Sequence, residues 1–448
     1  MNRDVILRHA APLPRYTSYP TANHFGPAVA AAEAGVWLER LPDNATLSLY
    51  LHILFCRALC LYCGCTTKAT RRYAPVADYL AVLGREIDGI AERVPAAHRV
   101  THIHWGGGSP DILTAEDIVR LGGRLRRRFT IDPDAEFAVE IDPRLLPAEQ
   151  ADAFERIGVN RASIGVQDFD PAVQQAIGRE QGYETTARAV ALFRDRGVAS
   201  LNLDLVYGLP RQSEASVTRT LEQVLALAPD RVAIFGYAHL PSRLKHQRLI
   251  DEAWLPGPAE RYAQARRMAA LLTGAGYVAR GLDHFARPDD KLARGALFRN
   301  FQGYTTDSAD ALLGLGASAI SRLPDGFAQN AVAIGDYAAR LESDGLATAR
   351  GRALTADDRV RAFVIERLMC DFAYSAEAVA ARFGPAQAAA MSALARAASE
   401  DDADGFLAPT ADGFRLTPPG MPFVRTICAR FDAYLPEQLS ARRHALSV

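Results

Sequence analysis

Six cysteines punctuate the 448-residue chain, and four of them, Cys56, Cys60, Cys63 and Cys65, fall within ten residues. Three thiolates spaced Cys-x-x-x-Cys-x-x-Cys can wrap an iron–sulfur cubane and leave one iron without a protein ligand. That open iron can take a substrate or cofactor, unlike the closed four-cysteine site of an electron carrier. Soft thiolates suit zinc as well, although the distant second CxxC of a structural zinc site is missing. Tyr62, just before the last cysteine of the triple, and a strand–loop–helix setting favour a metal site over chance. The remaining cysteines, Cys370 and Cys428, lie in helical sequence and read as small buried residues.

Other groups with chemical potential recur at the ends of β-rich runs: Glu140, Asp142, Gln167, Asp168 and Asp204. Each alone reads equally as a strand-end cap or ion-pair partner. Gly106-Gly107-Gly108-Ser109 offers a backbone edge free of side chains, which a cofactor can approach closely and which a tight turn also requires. His52, His102 and His104 alternate on strands and read as satisfied interior histidines rather than metal ligands.

The elements that must position these groups run from about 47 to 285. Strands are expected at Leu47–Leu54, Val100–Trp105, Glu136–Ile141, Arg161–Val166, Leu201–Tyr207 and Arg231–Ala238. Amphipathic helices alternate with them at Asp78–Arg93, Ala115–Arg128, Pro147–Ile157, Thr185–Arg196, Ser213–Leu227 and Ala259–Leu272. Six strand–helix units in series imply a parallel sheet with right-handed crossovers. Polar residues at the C-terminal strand ends favour a barrel or a partial (β/α)6 TIM-like barrel over an open doubly wound sheet. Residues 1–40 form an N-terminal segment expected to cover the site. The barrel with its substrate-binding loops occupies 41–345, including a Gly- and polar-rich stretch at 295–330. A small, mainly helical domain with a hairpin at 405–417 occupies 346–448.

Composition narrows the function classes. Lys and Arg total 51 against 52 Asp and Glu, a net charge of −1, so a nucleic-acid or membrane-surface binder is disfavoured. The basic residues are 48 Arg and only 3 Lys, a bias that forbids reading any single Arg as chosen over Lys. No apolar run approaches the roughly 18–20 residues of a membrane span, and the N-terminus lacks a secretory h-region. Clustered rather than dispersed cysteines point to a cytoplasmic protein.

The segment YLHILFCRALCLYCGC (50–65) resembles the cluster loop of radical S-adenosylmethionine (SAM) enzymes. Within that superfamily the chain is similar to the oxygen-independent coproporphyrinogen III oxidases of haem biosynthesis. The resemblance runs through PRYTSYPTA (14–22), HWGGGSP (104–110), EIDPR (140–144), GVQDFD (165–170), REQ (179–181) and LDLVYGLP (203–210). It continues in YAHLP (237–241), DHFARPDD (283–290), RNFQGYTT (299–306), GLGASAIS (314–321) and AQN (328–330). Cys65, YTSYPTA and RNFQGYTT narrow the match from superfamily to family.

The resemblance implies roles. Cys56, Cys60 and Cys63 would hold a 4Fe–4S cluster, with SAM chelating the fourth iron. Gly107, Gly108, Ser109, Glu140, Gln167, Arg179 and Asp204 would contact SAM, Arg179 being suited to its carboxylate. Backbone near Tyr62, Ala238 and Ile320 would take the adenine. Tyr50 and Cys65 would be catalytic, with Tyr50 also contacting the cofactor. Arg15, Tyr16, Arg299 and Gln302 are candidates for the propionates of coproporphyrinogen III. An external one-electron donor, flavodoxin- or ferredoxin-like, would drive formation of a 5′-deoxyadenosyl radical, and a monomer is expected. Three departures from the family pattern stand out: Leu54 for the usual Pro, Ser109 for the usual Thr, and a short segment before RNFQGYTT. They leave room for a paralogue acting on another porphyrin. A haem-binding chaperone and a zinc-binding structural protein remain the rivals.

Overall fold

The computed structural model describes residues 1–435. Its centre is a run of parallel strands: β1 (Thr46–Ile53), β2 (Arg99–Gly107), β3 (Ile131–Ile141), β4 (Arg161–Gln167), β5 (Ser200–Tyr207) and β6 (Arg231–Gly236). They pair in chain order, each parallel to the last. The crossover helices are α1 (Ala74–Ala91), α2 (Ala115–Arg128), α3 (Ala148–Arg156), α4 (Tyr183–Arg194) and α5 (Glu214–Ala226). A sixth helix, α6 (Pro258–Gly274), follows β6. Every expected strand and helix is present, with ends shifted by a few residues.

Strand alternation explains why these sequences form this layer. On β1, Leu47, Leu49, Leu51 and Ile53 are at most 1% exposed and belong to the main hydrophobic cluster shared with the helices. The intervening Ser48 and Tyr50 face the opposite side, where they line an interior cavity with His102, His104, Glu136 and Arg161 of the neighbouring strands. The same two-residue period puts Ile103 and Trp105 outward on β2, and Leu201, Leu203 and Leu205 outward on β5. A TIM-barrel interior is ordinarily packed with branched aliphatic side chains; this one is polar. Its floor is an ion cluster in which Arg231 joins Glu136 (3.5 Å) to Asp290 (2.8 Å), and Arg161 meets Glu136 at 2.7 Å.

The stretch 295–330 departs from the sequence expectation. It supplies β7 (Ala311–Leu315), a seventh parallel strand paired to β1. Ile320–Leu323, Gly326–Asn330 and Thr348–Ala353 then continue the sheet antiparallel. On the far side His284–Ala286 and Val278–Arg280 extend β6 in the same antiparallel sense, giving an open twelve-stranded sheet among the described residues. The strand ALLGL is buried at every position, so it has no alternation to betray it.

Beyond the sheet, helices Ala356–Asp371 and Pro385–Glu400 and a three-stranded sheet that includes the expected hairpin enclose a second hydrophobic cluster. Tyr16 and Tyr19 of the N-terminal segment are part of it. Among the described residues no helix is long and apolar enough to cross a membrane.

Candidate active site

The cysteine loop leaves β1 at the sheet's C-terminal edge and is fixed from both sides. The Gly108 and Ser109 amides donate to the carbonyls of Ile53 (2.7 Å) and Phe55 (2.9 Å), and the Thr70 amide donates to Cys56 O (2.9 Å). Across the loop, Gln247 Nε2 donates to Tyr62 O (3.0 Å) and His246 Nε2 meets Cys63 O at 2.7 Å. These bonds place Cys56, Cys60, Cys63 and Cys65 around one cavity of about 620 Å³.

Of the residues expected at the site, Tyr62, Gly107, Gly108, Ser109, Glu140, Gln167, Arg179, Asp204, Ala238 and Arg15 line this same cavity. The causes are local. Gln167 has φ +67° and follows a register shift between Gly165 and Gln167, a bulge that re-aims its side chain. Glu140 accepts from the Gly107 amide (3.1 Å) and meets His104 Nε2 at 3.0 Å. Burial pushes Glu140 upward, but the His104 hydrogen bond and charge outweigh it and the net shift is downward. Asp204 accepts from Ser163 Oγ and Asn202 Nδ2, both at 2.7 Å, and burial raises it. Two carboxyl groups, on the strands that flank β4, are thus pushed in opposite directions.

Gly108 is demanded by packing: a Cβ there would lie 2.5 Å from the carbonyl oxygens of Ile53 and Phe55. The tight-turn explanation therefore accounts for the glycine, while the edge it leaves still borders the cavity. Arg179 is already engaged. Its guanidinium donates to Gly165 O (2.8 Å) and to both Asp142 oxygens (3.3 Å each), and approaches Cys60 Sγ at 3.6 Å. Its Nε is buried without a partner. Arg144 also reaches Cys60 Sγ at 3.6 Å. The thiols differ: a hydrogen bond from Cys65 draws Cys63 down to about 6, and burial pushes Cys56 up to about 12. Among the described residues no group of three His, Cys, Asp or Glu side chains closes around a single metal-ion position. The thiols sit on the wall of a wide cavity with guanidinium groups beside them, a donor set suited to a polynuclear anionic cluster.

Asp168 turns away, bonded to Thr220 and Gln212. Tyr50 sits one layer below, stacked on His104 with its hydroxyl 3.0 Å from His52 Nδ1. Ile320 borders neither this cavity nor the interior one. Tyr16 borders neither this cavity nor the interior one. It is 4% exposed and donates its hydroxyl to Asp432 (3.1 Å), held in the C-terminal hydrophobic cluster instead of facing a ligand.

Residues 50–224 match the Radical SAM superfamily, and residues 354–423 match the HemN C-terminal domain. The oxygen-independent coproporphyrinogen III oxidase of Bradyrhizobium diazoefficiens is 48% identical over 436 residues, covering 96% of this chain and 97% of the relative. The chain belongs to the oxygen-independent coproporphyrinogen III oxidase family. The Pseudomonas aeruginosa relative of that name is 40% identical over 97% of this chain and 96% of its own length. The solved Escherichia coli coproporphyrinogen III oxidase, HemN, described as a radical SAM enzyme, superposes with a TM-score of 0.89 at 39% identity, covering 94% of this chain and 97% of that one.

A second cavity of about 690 Å³ lies beside the first, sharing Arg15, Phe235 and Gly236 with it and taking in the expected Arg299 and Gln302. Phe235, Phe285, Phe301 and Met421 give it apolar walls, and Arg15, Arg261, Arg266, Arg299 and Arg425 stand against a single carboxylate, Asp283. Main-chain carbonyls hold several of these guanidiniums in place. Arg15 donates to Gly236 O (2.7 Å), Arg261 to Tyr237 O (2.9 Å) and Arg425 to Pro14 O (2.9 Å). Burial, with Arg15 and Arg299 nearby, draws Arg425 down to about 10. Arg299 Nη1 is buried without a partner. Gln302 lies between this chamber and the barrel interior. Arg261 and Arg425 belong to no motif, and in a chain with 48 Arg only three-dimensional convergence singles them out.

Proposed function

We propose that this chain decarboxylates two propionates of coproporphyrinogen III without oxygen, giving protoporphyrinogen IX, with a 4Fe–4S cluster and SAM as cofactors. The observation that carries the reading is the junction of a thiol-rimmed cavity with an apolar, arginine-studded chamber, in a chain 48% identical to an oxidase of that name. When bound, the cluster and SAM would supply hydrogen-atom abstraction from a propionate β-carbon; loss of carbon dioxide, with one electron passing to an external acceptor, would then leave a vinyl group.

Cys56, Cys60 and Cys63 hold the cluster, and Arg144 and Arg179 offset the charge gathered at Cys60. Glu140, Gln167, Asp204, Ser109 and the Gly107–Gly108 edge orient SAM, with Tyr62 and Ala238 on its adenine side. Tyr50 acts through its stack on His104, fixing the Glu140 carboxylate, and Cys65 donates to the Cys63 sulfur. Arg15, Arg299 and Gln302, joined by Arg261, Arg266 and Arg425, receive the propionates that are not reacting; bidentate guanidinium–carboxylate pairing suits that task. Phe235 and the N-terminal segment at Arg15 keep bulk water from the junction. The enzyme acts as a cytoplasmic monomer supplied by a flavodoxin- or ferredoxin-like donor.

The test is an anaerobic assay of the iron- and sulfide-reconstituted protein with reductant, SAM and coproporphyrinogen III. Formation of 5′-deoxyadenosine and protoporphyrinogen IX together is expected. A stoichiometric haem complex with no turnover would replace the reading by haem carriage.

A further inference from the structure

Charge on this chain is balanced overall, at 51 basic and 52 acidic residues. It is not balanced around the cysteine loop. Residues 54–73 carry Arg57, Lys68, Arg71 and Arg72 and no Asp or Glu. Residues 239–250 carry Arg243, Lys245 and Arg248, again with no Asp or Glu. All seven side chains are exposed. Two of the chain's three lysines fall in these 32 residues, where an Arg-rich composition alone would place few.

The two segments form one surface because both are tied to the thiol loop. Lys68 follows the loop on a short strand, its amide donating to Leu54 O (2.9 Å), and its neighbour Ala69 stands in register with Cys56. From the other side, His246 and Gln247 hold the carbonyls of Cys63 and Tyr62. The first carboxylates after the second segment are occupied: Asp251 caps the Ala253 amide (3.0 Å) and Glu252 meets His239 (3.0 Å). Exposed apolar side chains accompany the cations, with Leu59 38% and Leu249 73% exposed.

We infer that this basic face around the thiol loop, Arg57, Lys68, Arg71 and Arg72 on one side and Lys245 and Arg248 on the other, is the docking surface for an acidic one-electron donor protein. The inference rests on the reading that the three thiols hold a redox cluster. A ring of like charge steers an oppositely charged partner to one place and raises its encounter rate. Here that place adjoins the backbone of Cys56 and Cys63. The donor gives up one electron and the cluster accepts it; no bond or proton changes hands at the surface. Arg57, Lys68, Lys245 and Arg248 do not border the cavity, so the surface can be altered without touching the site.

The experiment compares reconstituted wild type with an Arg57→Glu/Lys68→Glu/Lys245→Glu/Arg248→Glu variant, and with Arg71→Glu/Arg72→Glu as an independent second variant. Affinity for a flavodoxin is measured by fluorescence anisotropy over a salt series, and 5′-deoxyadenosine formation is measured with dithionite and with reduced flavodoxin. The wild-type Kd is expected to rise with salt, and the fourfold variant to bind at least about tenfold more weakly at low salt. The pair variant moves in the same direction. Dithionite-driven turnover is unchanged in both, and flavodoxin-driven turnover falls. Equal Kd and equal salt dependence in wild type and variants would overturn the inference. So would a single-stranded DNA oligonucleotide binding wild type as tightly as flavodoxin does. Absence of dithionite-driven turnover in wild type would count against the proposed function, whatever the binding comparison gives.

Discussion

At the residue scale the thiols are not equivalent, and the difference is testable. Replacing Cys56, Cys60 or Cys63 by Ser should each cut reconstituted iron and sulfide to a small fraction of wild type and abolish turnover. Cys65→Ser should retain the iron, because Cys65 stands outside the spaced triple and meets Cys63 through its amide at 3.4 Å. Iron and sulfide analysis of the four variants decides the assignment. The triple was legible in sequence because its spacing is the chemistry. Tyr16 was not: its motif neighbour Arg15 reaches the cavity, but Tyr16 has φ +49° and turns its ring into the C-terminal cluster. A sequence motif marks a segment, while backbone sign decides which of two adjacent side chains faces the cavity.

At the element scale the strands carry two messages in alternate residues. The outward message, Leu47-x-Leu49-x-Leu51-x-Ile53, is the hydrophobic period that exposes the strand to sequence reading. The inward message becomes intelligible only when strands are aligned. Glu136, Arg161 and Arg231 are far apart in sequence yet meet within 3.5 Å in the interior. Burial alone would raise Glu136; Arg161 and Arg231 outweigh it and hold the carboxyl at about 2. Because the folded value is depressed, this stabilisation is complete above about pH 4.5 and is lost as pH falls toward 2. Chemical denaturation over that window should show a steeper acid loss for wild type than for Glu136→Gln. Arg231→Met, which leaves Glu136 and Asp290 buried with less compensation, should cost about 3–5 kcal/mol near neutral pH. Gly108→Ala, whose methyl must push two carbonyls apart, should destabilise by roughly 1–3 kcal/mol in the same assay.

At the scale of the whole molecule, the arginine chamber depends on parts that never meet in sequence. Arg15 comes from the N-terminal segment, Arg261 from α6, Arg299 from the hairpin before β7, and Arg425 from the C-terminal region. Contacts between these parts build it: Arg299 holds the carbonyls of Arg15 (3.2 Å) and Tyr16 (3.3 Å), and Arg425 holds Pro14. The parallel sheet and its helices could be derived from patterning, whereas β7 and this chamber arise from long-range packing that leaves no periodic trace. Arg266→Ala, at an exposed position of the chamber, should raise the KM for coproporphyrinogen III several-fold, with iron content and 5′-deoxyadenosine formation at saturating substrate little changed. Steady-state kinetics on reconstituted enzyme checks it.

Gly236 lines both cavities, and on the proposed function a propionate β-carbon reaches the thiol-rimmed cavity from the arginine chamber across it. The most direct measurement uses coproporphyrinogen III deuterated at those β-carbons, incubated anaerobically with reconstituted enzyme, SAM and reductant, with mass spectrometry of the nucleoside product. Transfer of deuterium into 5′-deoxyadenosine, accompanied by vinyl-bearing protoporphyrinogen IX, is the predicted result. Unlabelled 5′-deoxyadenosine with the propionates intact would contradict it.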